Sequence, residues 1–196
     1  MTKLVVLDLD GVLITKQFLD GSRPPKDTAD IVFTNCEIYI DKSAIDFVEY
    51  LAQNFKIGIW VSQPPNNVNE VIEIIFKGIP VEFIYYQKQC DVIGNKPIFI
   101  KHINKIHGFP KDQIMFIDDD DFKVSLNTPA AHINCQNIDN IMELVPLLMK
   151  WDVEGNNGDF DIEYDYNIAF DYYRRQYGDY VIFTILMVII INLFSK

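Results

Sequence analysis

Short uninterrupted apolar runs recur along this chain: Leu4 to Leu7, Ile57 to Val61, Phe83 to Tyr86, Ile114 to Ile117 and Ala131 to Cys135. Runs of this length, bounded by polar or turn residues, predict strands buried on both faces. Between them the apolar positions shift to helical spacing. Ser43 with Asp46 opens a predicted helix carrying Ile45, Phe47, Val48, Leu51 and Phe55. Asn66 or Asn67 caps a second, with Val71, Ile74 and Ile75 and a stop at Gly78. A third is predicted from about Pro97 to His107, before Gly108 and Pro110, and a last one from about Asn140 to Trp151. Thr15 to Asp30, polar and holding Gly21, Pro24 and Pro25, predicts an exposed loop or flap, followed by short strands at Ile31 to Phe33 and Glu37 to Ile40.

Buried strands alternating with helices predict an α/β fold with a mainly parallel sheet and helices on both faces. Such sheets bind ligands beyond the carboxyl ends of their strands. That rule places Asp8, Asp10, Ser62, Asp118 and Asp119 on one rim. Several carboxylates converging there would repel one another strongly unless a cation compensated them. Magnesium suits carboxylate oxygens, waters and phosphate oxygens, and a lysine and a serine on the same rim would hold the remaining oxygens of a phosphate.

The motifs resemble, in order, the four motifs of the haloacid dehalogenase superfamily of phosphohydrolases: Leu7-Asp8-Leu9-Asp10-Gly11-Val12, then Trp60-Val61-Ser62, then a downstream lysine, then Phe116-Ile117-Asp118-Asp119. Within that superfamily the stretch from Glu37 to Ile75, with Ile-Asp-Phe-Val-Glu-Tyr-Leu and Phe-Lys-Ile-Gly-Ile-Trp-Val-Ser, is similar to the phosphatases of the RNA polymerase II carboxyl-terminal domain. The resemblance covers roughly residues 3 to 150 and implies a three-layer Rossmann-like sandwich. It implies that Asp8 attacks phosphorus and forms an aspartyl-phosphate, and that Asp10 protonates the leaving oxygen and later activates water. It further implies that Ser62 and the lysine bind phosphate, and that Asp8, the Asp10 backbone carbonyl, Asp118 and Asp119 hold Mg2+. Two lysines compete for the third motif. Lys96 is favoured because a loop entering a helix would place it beside a helix amino terminus, which itself favours phosphate; Lys101, closer to the spacing of the polymerase-tail phosphatases, would lie a turn inside. The chain departs from that subfamily at Gly11 and Val12, where its members usually carry Glu and Thr. Too few residues separate Val12, Ser62 and Lys96 for a large cap domain, so an open site is expected, suited to phosphorylated side chains of proteins or to nucleic-acid ends.

Charge and composition refine this picture. With 17 Lys plus Arg against 28 Asp plus Glu, the net charge is -11, and no basic stripe appears, so nucleic acid is not an expected partner. A nucleic-acid end phosphatase and a catalytically inactive module of the same fold are the alternative readings. Cys36, Cys90 and Cys135, widely spaced, are expected as small core residues in a reducing compartment, and His102, His107 and His132 are given no role. Asp8 and Asp10 interrupt the apolar start, so export is not expected. Three segments are expected: a phosphatase domain over 1–151, an acidic tyrosine-rich linker over 152–178 and a hydrophobic tail over 179–196. From Tyr180 to Phe194 only Thr184 and Asn192 are polar. As a helix this run would cover about 22 Å of a roughly 30 Å hydrocarbon slab, short for a span but a candidate membrane anchor that would keep the enzyme on the cytosolic side.

Overall fold

In the computed structural model the described residues are 3–19, 28–89, 91–93, 96–100, 108–120, 131–135, 138 and 140–154. The chain divides into two units, Met1–Ile162 and Glu163–Lys196, and all described residues belong to the first. Five runs of apolar sequence form the central sheet: β1 (Leu4–Leu7), β5 (Lys56–Trp60), β6 (Phe83–Tyr85), β9 (Ile114–Asp118) and β10 (Ala131–Asn134), in the order β10-β9-β1-β5-β6. Every neighbouring pair is parallel. Alternation along the strands splits their side chains between two buried clusters. One holds Val5, Leu7, Ile57, Ile59, Met115 and Ile117, and the other Leu4, Val6, Trp60, Phe83, Ile114 and Phe116. A sheet apolar on both sides must be covered on both, which is why the runs read as continuous rather than alternating.

Helix α1 (Ala44–Asn54) buries Ala44, Phe47, Val48 and Leu51, a stripe at helical spacing that leaves Ile45 on the exposed side. Helix α2 (Asn69–Ile75) buries Val71, Ile72 and Ile75. It begins later than expected. Asn66 and Asn67 belong to a short 3-10 turn, Pro65–Asn67, because Pro65 can open a tight turn without needing a backbone N–H. Helix α3 (Val145–Glu154) follows a 3-10 turn at Ile141–Leu144, which Asn140 caps by accepting from the Met142 N–H at 3.0 Å.

Two expectations fail. The polar segment after the first aspartates is not all loop: Ile14–Phe18 is strand β2, which pairs antiparallel with β4 (Cys36–Ile40), and β3 (Ile31–Val32) pairs on the other side of β4. A solvent-facing sheet needs only one apolar face, so polar residues at Thr15, Lys16 and Gln17 do not prevent strand formation. The helix expected from Pro97 is also not formed there. Lys96–Ile100 is β8, antiparallel to β7 (Asp91–Ile93) in a sheet of two strands. Pro97 near the start of an edge strand costs little pairing, and Ile98, Phe99 and Ile100 are β-formers. Residues 101–107 lie outside the described residues, as does the tail from Tyr180 to Phe194. Among the described residues, no helix is long and apolar enough to cross a membrane.

Candidate active site

Parallel register brings the aspartates together. Leu7 of β1 lies opposite Ile117 of β9, so the next residue of each strand, Asp8 and Asp118, emerges beside the other at the carboxyl edge. The ladder runs one step further, with the Asp8 N–H donating to the Ile117 carbonyl at 3.1 Å. Asp8 and Asp118 are buried, at 4% and 1% exposure, and Asp119 is half-buried. One carboxylate oxygen from each of Asp8, Asp118 and Asp119 lies within 4.8 Å of the others. The Leu9 N–H donates to Asp8 Oδ1 at 2.8 Å, and the Asp120 N–H to Asp118 Oδ1 at 3.0 Å. Such amide donors stabilise the ionised carboxylates but do not cancel three clustered charges.

The loop after β1 is wound tightly. The N–H groups of Val12, Leu13 and Ile14 all donate to the Leu9 carbonyl, at 3.2, 2.9 and 3.0 Å, and Gly11 takes a positive φ of 75°. A Cβ on Gly11 would stand 2.3 Å from Asp119 Oδ2, so the missing side chain leaves room for the carboxylate. Asp10 has contacts of its own: its Oδ2 accepts from Gln63 Nε2 at 2.8 Å and lies 3.7 Å from Lys16 Nζ. Ser62, immediately before Gln63 in the loop after β5, has a buried Oγ with no hydrogen-bond partner, an orphaned donor of the kind a phosphate oxygen satisfies.

The structure thus gathers Asp8, Asp118 and Asp119, sets Asp10 beside them in sequence with its carboxylate on Gln63 and Lys16, and leaves Ser62 at the edge of the same sheet. Lys96 opens a strand rather than the loop expected, and Lys101 lies outside the described residues. Two residues enter that the sequence does not mark out, and His132, given no role there, makes a contact with the site. Lys16 and Gln63 engage Asp10. His132, buried on β10, uses Nε2 to hydrogen-bond the Asp118 carbonyl at 3.0 Å; since a carbonyl only accepts, Nε2 carries the proton. Cys135 is buried nearby, and its thiol is pushed up to about 12 by burial first and by the Asp118 and Asp119 charges second, so it stays protonated. Cys36 is likewise a buried free cysteine.

The donor set fits a hard divalent cation: three carboxylates within one coordination sphere's reach, no sulfur or imidazole among them, and a glycine cleared for the third.

Residues 3–149 match the family model of NLI interacting factor-like phosphatases. The chain belongs to that family. Among solved structures it resembles Fcp1, an essential RNA polymerase II CTD phosphatase, with a TM-score of 0.51 at 14% identity over 68% of this chain and 41% of that one. A fission yeast Fcp1 variant bound to beryllium fluoride gives the same figures. A predicted HAD-like family hydrolase from Porphyromonas gingivalis gives a TM-score of 0.51 at 15% identity, covering 79% of this chain and 99% of that one. These likenesses show the haloacid dehalogenase fold, and the chain spans about two-fifths of the length of the Fcp1 chains it matches. No curated protein matches significantly.

Proposed function

We propose that this member of the family is a Mg2+-dependent phosphomonoester hydrolase that works through an aspartyl-phosphate and acts on phosphoserine or phosphothreonine in proteins. The convergence of Asp8, Asp118 and Asp119 at the carboxyl edge of adjacent parallel strands is the observation that carries the reading. When bound, the cation offsets charge on the three carboxylates and on the phosphoryl oxygens. Asp8 attacks phosphorus; the bond to the ester oxygen breaks, its electron pair stays on that oxygen, and Asp10 supplies the proton that makes the alcohol. Water then attacks the phosphorus of the Asp8 acyl phosphate and gives a proton to Asp10, the bond from phosphorus to Asp8 breaks, and inorganic phosphate leaves with both aspartates restored. Ser62 Oγ, buried and unpartnered, supplies a hydrogen bond to a phosphoryl oxygen, and Lys96 or Lys101 a charge.

Protein substrates are favoured over nucleic-acid ends by the net charge of -11. Asp8→Asn is expected to lower phosphate release from an aryl phosphate by at least about three orders of magnitude, as loss of a nucleophile does. Retained turnover would falsify the nucleophile assignment. Magnesium-dependent trapping of beryllofluoride on Asp8 separates a working site from an inactive module of the same fold, which should not trap it. The apolar run from Tyr180 to Phe194 adds the proposal of membrane attachment on the cytosolic side, tested by vesicle partition of the chain with and without residues 178–196.

A further inference from the structure

Lys16 is a cation whose side chain is only 10% exposed, and a charge so enclosed must be paired. It sits on β2, one of the two edge strands of the three-stranded sheet, with its backbone opposite Ile38. Its Nζ donates to Gln63 Oε1 and stands 3.7 Å from Asp10 Oδ2, while Gln63 Nε2 donates to the same Oδ2 at 2.8 Å. The amide can take only this orientation: turned over, it would set its NH2 against an ammonium and its oxygen against a carboxylate. Two adjoining segments and one remote from them in sequence therefore close a ring on one oxygen of Asp10. They are the loop after β1, strand β2 and the loop after β5.

We propose that Lys16 and Gln63 are positioning residues for Asp10. Gln63, by donating to Oδ2, and Lys16, by holding the Gln63 amide and standing 3.7 Å from the same oxygen, fix the plane of the carboxyl group that exchanges a proton with the ester oxygen. The inference rests on the phosphatase reading, because it assigns the two residues to the step in which Asp10 acts as acid. Neither residue type follows from the four motifs, and the ring also couples the small sheet to the loop that carries Ser62.

A general acid matters in proportion to how poor the leaving group is, and that dependence is the test. The full-length chain, Lys16→Met, Gln63→Leu and Lys16→Arg are compared, in Mg2+, by kcat/KM on dinitrophenyl phosphate, phenyl phosphate and a phosphoserine peptide. Lys16→Met and Gln63→Leu should lose more than about thirtyfold on the peptide and about threefold or less on dinitrophenyl phosphate, within the range that acid catalysis contributes. Lys16→Arg should recover most of the peptide activity. The near-normal turnover of the activated ester also reports that the variants are folded. An equal loss on all three substrates, or none, overturns the positioning role while leaving the phosphatase reading standing. A wild-type chain that hydrolyses none of them overturns both.

Discussion

Gly11 shows how a missing methyl group can set the geometry of a charged site. Its positive φ of 75° is accessible to glycine at little cost, and the space a Cβ would fill holds the Asp119 carboxylate, with Oδ2 at 2.3 Å and Cγ at 2.5 Å from the ideal position. The two constraints reinforce each other, because relieving the contact requires either moving the loop after β1 or rotating Asp119 away from Asp8 and Asp118. Gly11→Ala is therefore expected to cost about 1–3 kcal/mol of folding stability from backbone strain. It should also weaken Mg2+ binding by roughly tenfold or more, as disturbance of ligand orientation does. Thermal melts without metal and isothermal titration with Mg2+ read the two effects separately. A variant that melts lower but binds Mg2+ as tightly as wild type would show that Asp119 does not depend on this clearance.

Elements differ in how far the sequence disclosed them, and the difference has a physical basis. Strands β1, β5, β9 and β10 are buried on both faces and the edge strand β6 is partly buried, so their apolar runs announced them to within a residue or two, and with them the placement of Asp8, Asp118 and Asp119. Strand β2 was hidden because its partner β4 lies further along the chain, and Lys16 and Gln17 read locally as loop. For the same reason the engagement of Asp10 by Lys16 and Gln63 was illegible: it depends on a pairing that no local period encodes. Lys3 is a comparable case. Standing just before β1, it donates to the carbonyls of Trp151 and Asp152 at 2.6 and 2.8 Å, and its ammonium lies 4.6 Å from the centroid of the Trp151 ring. Those carbonyls belong to the last turn of α3, where a cation also meets the negative end of the helix. Lys3→Met keeps the aliphatic stem and removes the donor, so a loss of about 1–3 kcal/mol is expected in urea unfolding. The salt bridge to Asp152 at 3.8 Å adds little, since Asp152 is exposed. Because Lys3 lies at the opposite end of β1 from Asp8, kcat/KM on an aryl phosphate should stay at the wild-type value; a fall in activity without a fall in stability would contradict the capping role.

At the scale of the whole molecule, the net charge of -11 acts on every phosphorylated substrate before any contact forms. A phosphoester arrives as an anion and is repelled at a distance, although the proposed cation on Asp8, Asp118 and Asp119 would attract it at close range. Salt separates these terms, because raising the ionic strength from about 0.01 M to 0.15 M shortens the Debye length from about 30 Å to about 8 Å and removes the distant repulsion while sparing the contacts. An oligonucleotide carrying a 3′-phosphate brings a charge at each linkage and suffers the repulsion most, so its kcat/KM should rise several-fold over that range. A phosphoserine peptide flanked by neutral residues should change little, and one flanked by lysines should fall, since its attraction to the acidic surface is being screened. The ordering matters more than any one slope. If the chain had been shaped to hold nucleic-acid ends, a basic track would release counterions on binding and the oligonucleotide would weaken as salt increases. A kcat/KM for the oligonucleotide that falls with salt, at constant free Mg2+, would thus transfer the proposed substrate class from phosphoproteins to nucleic-acid termini, with the chemistry at Asp8 unchanged.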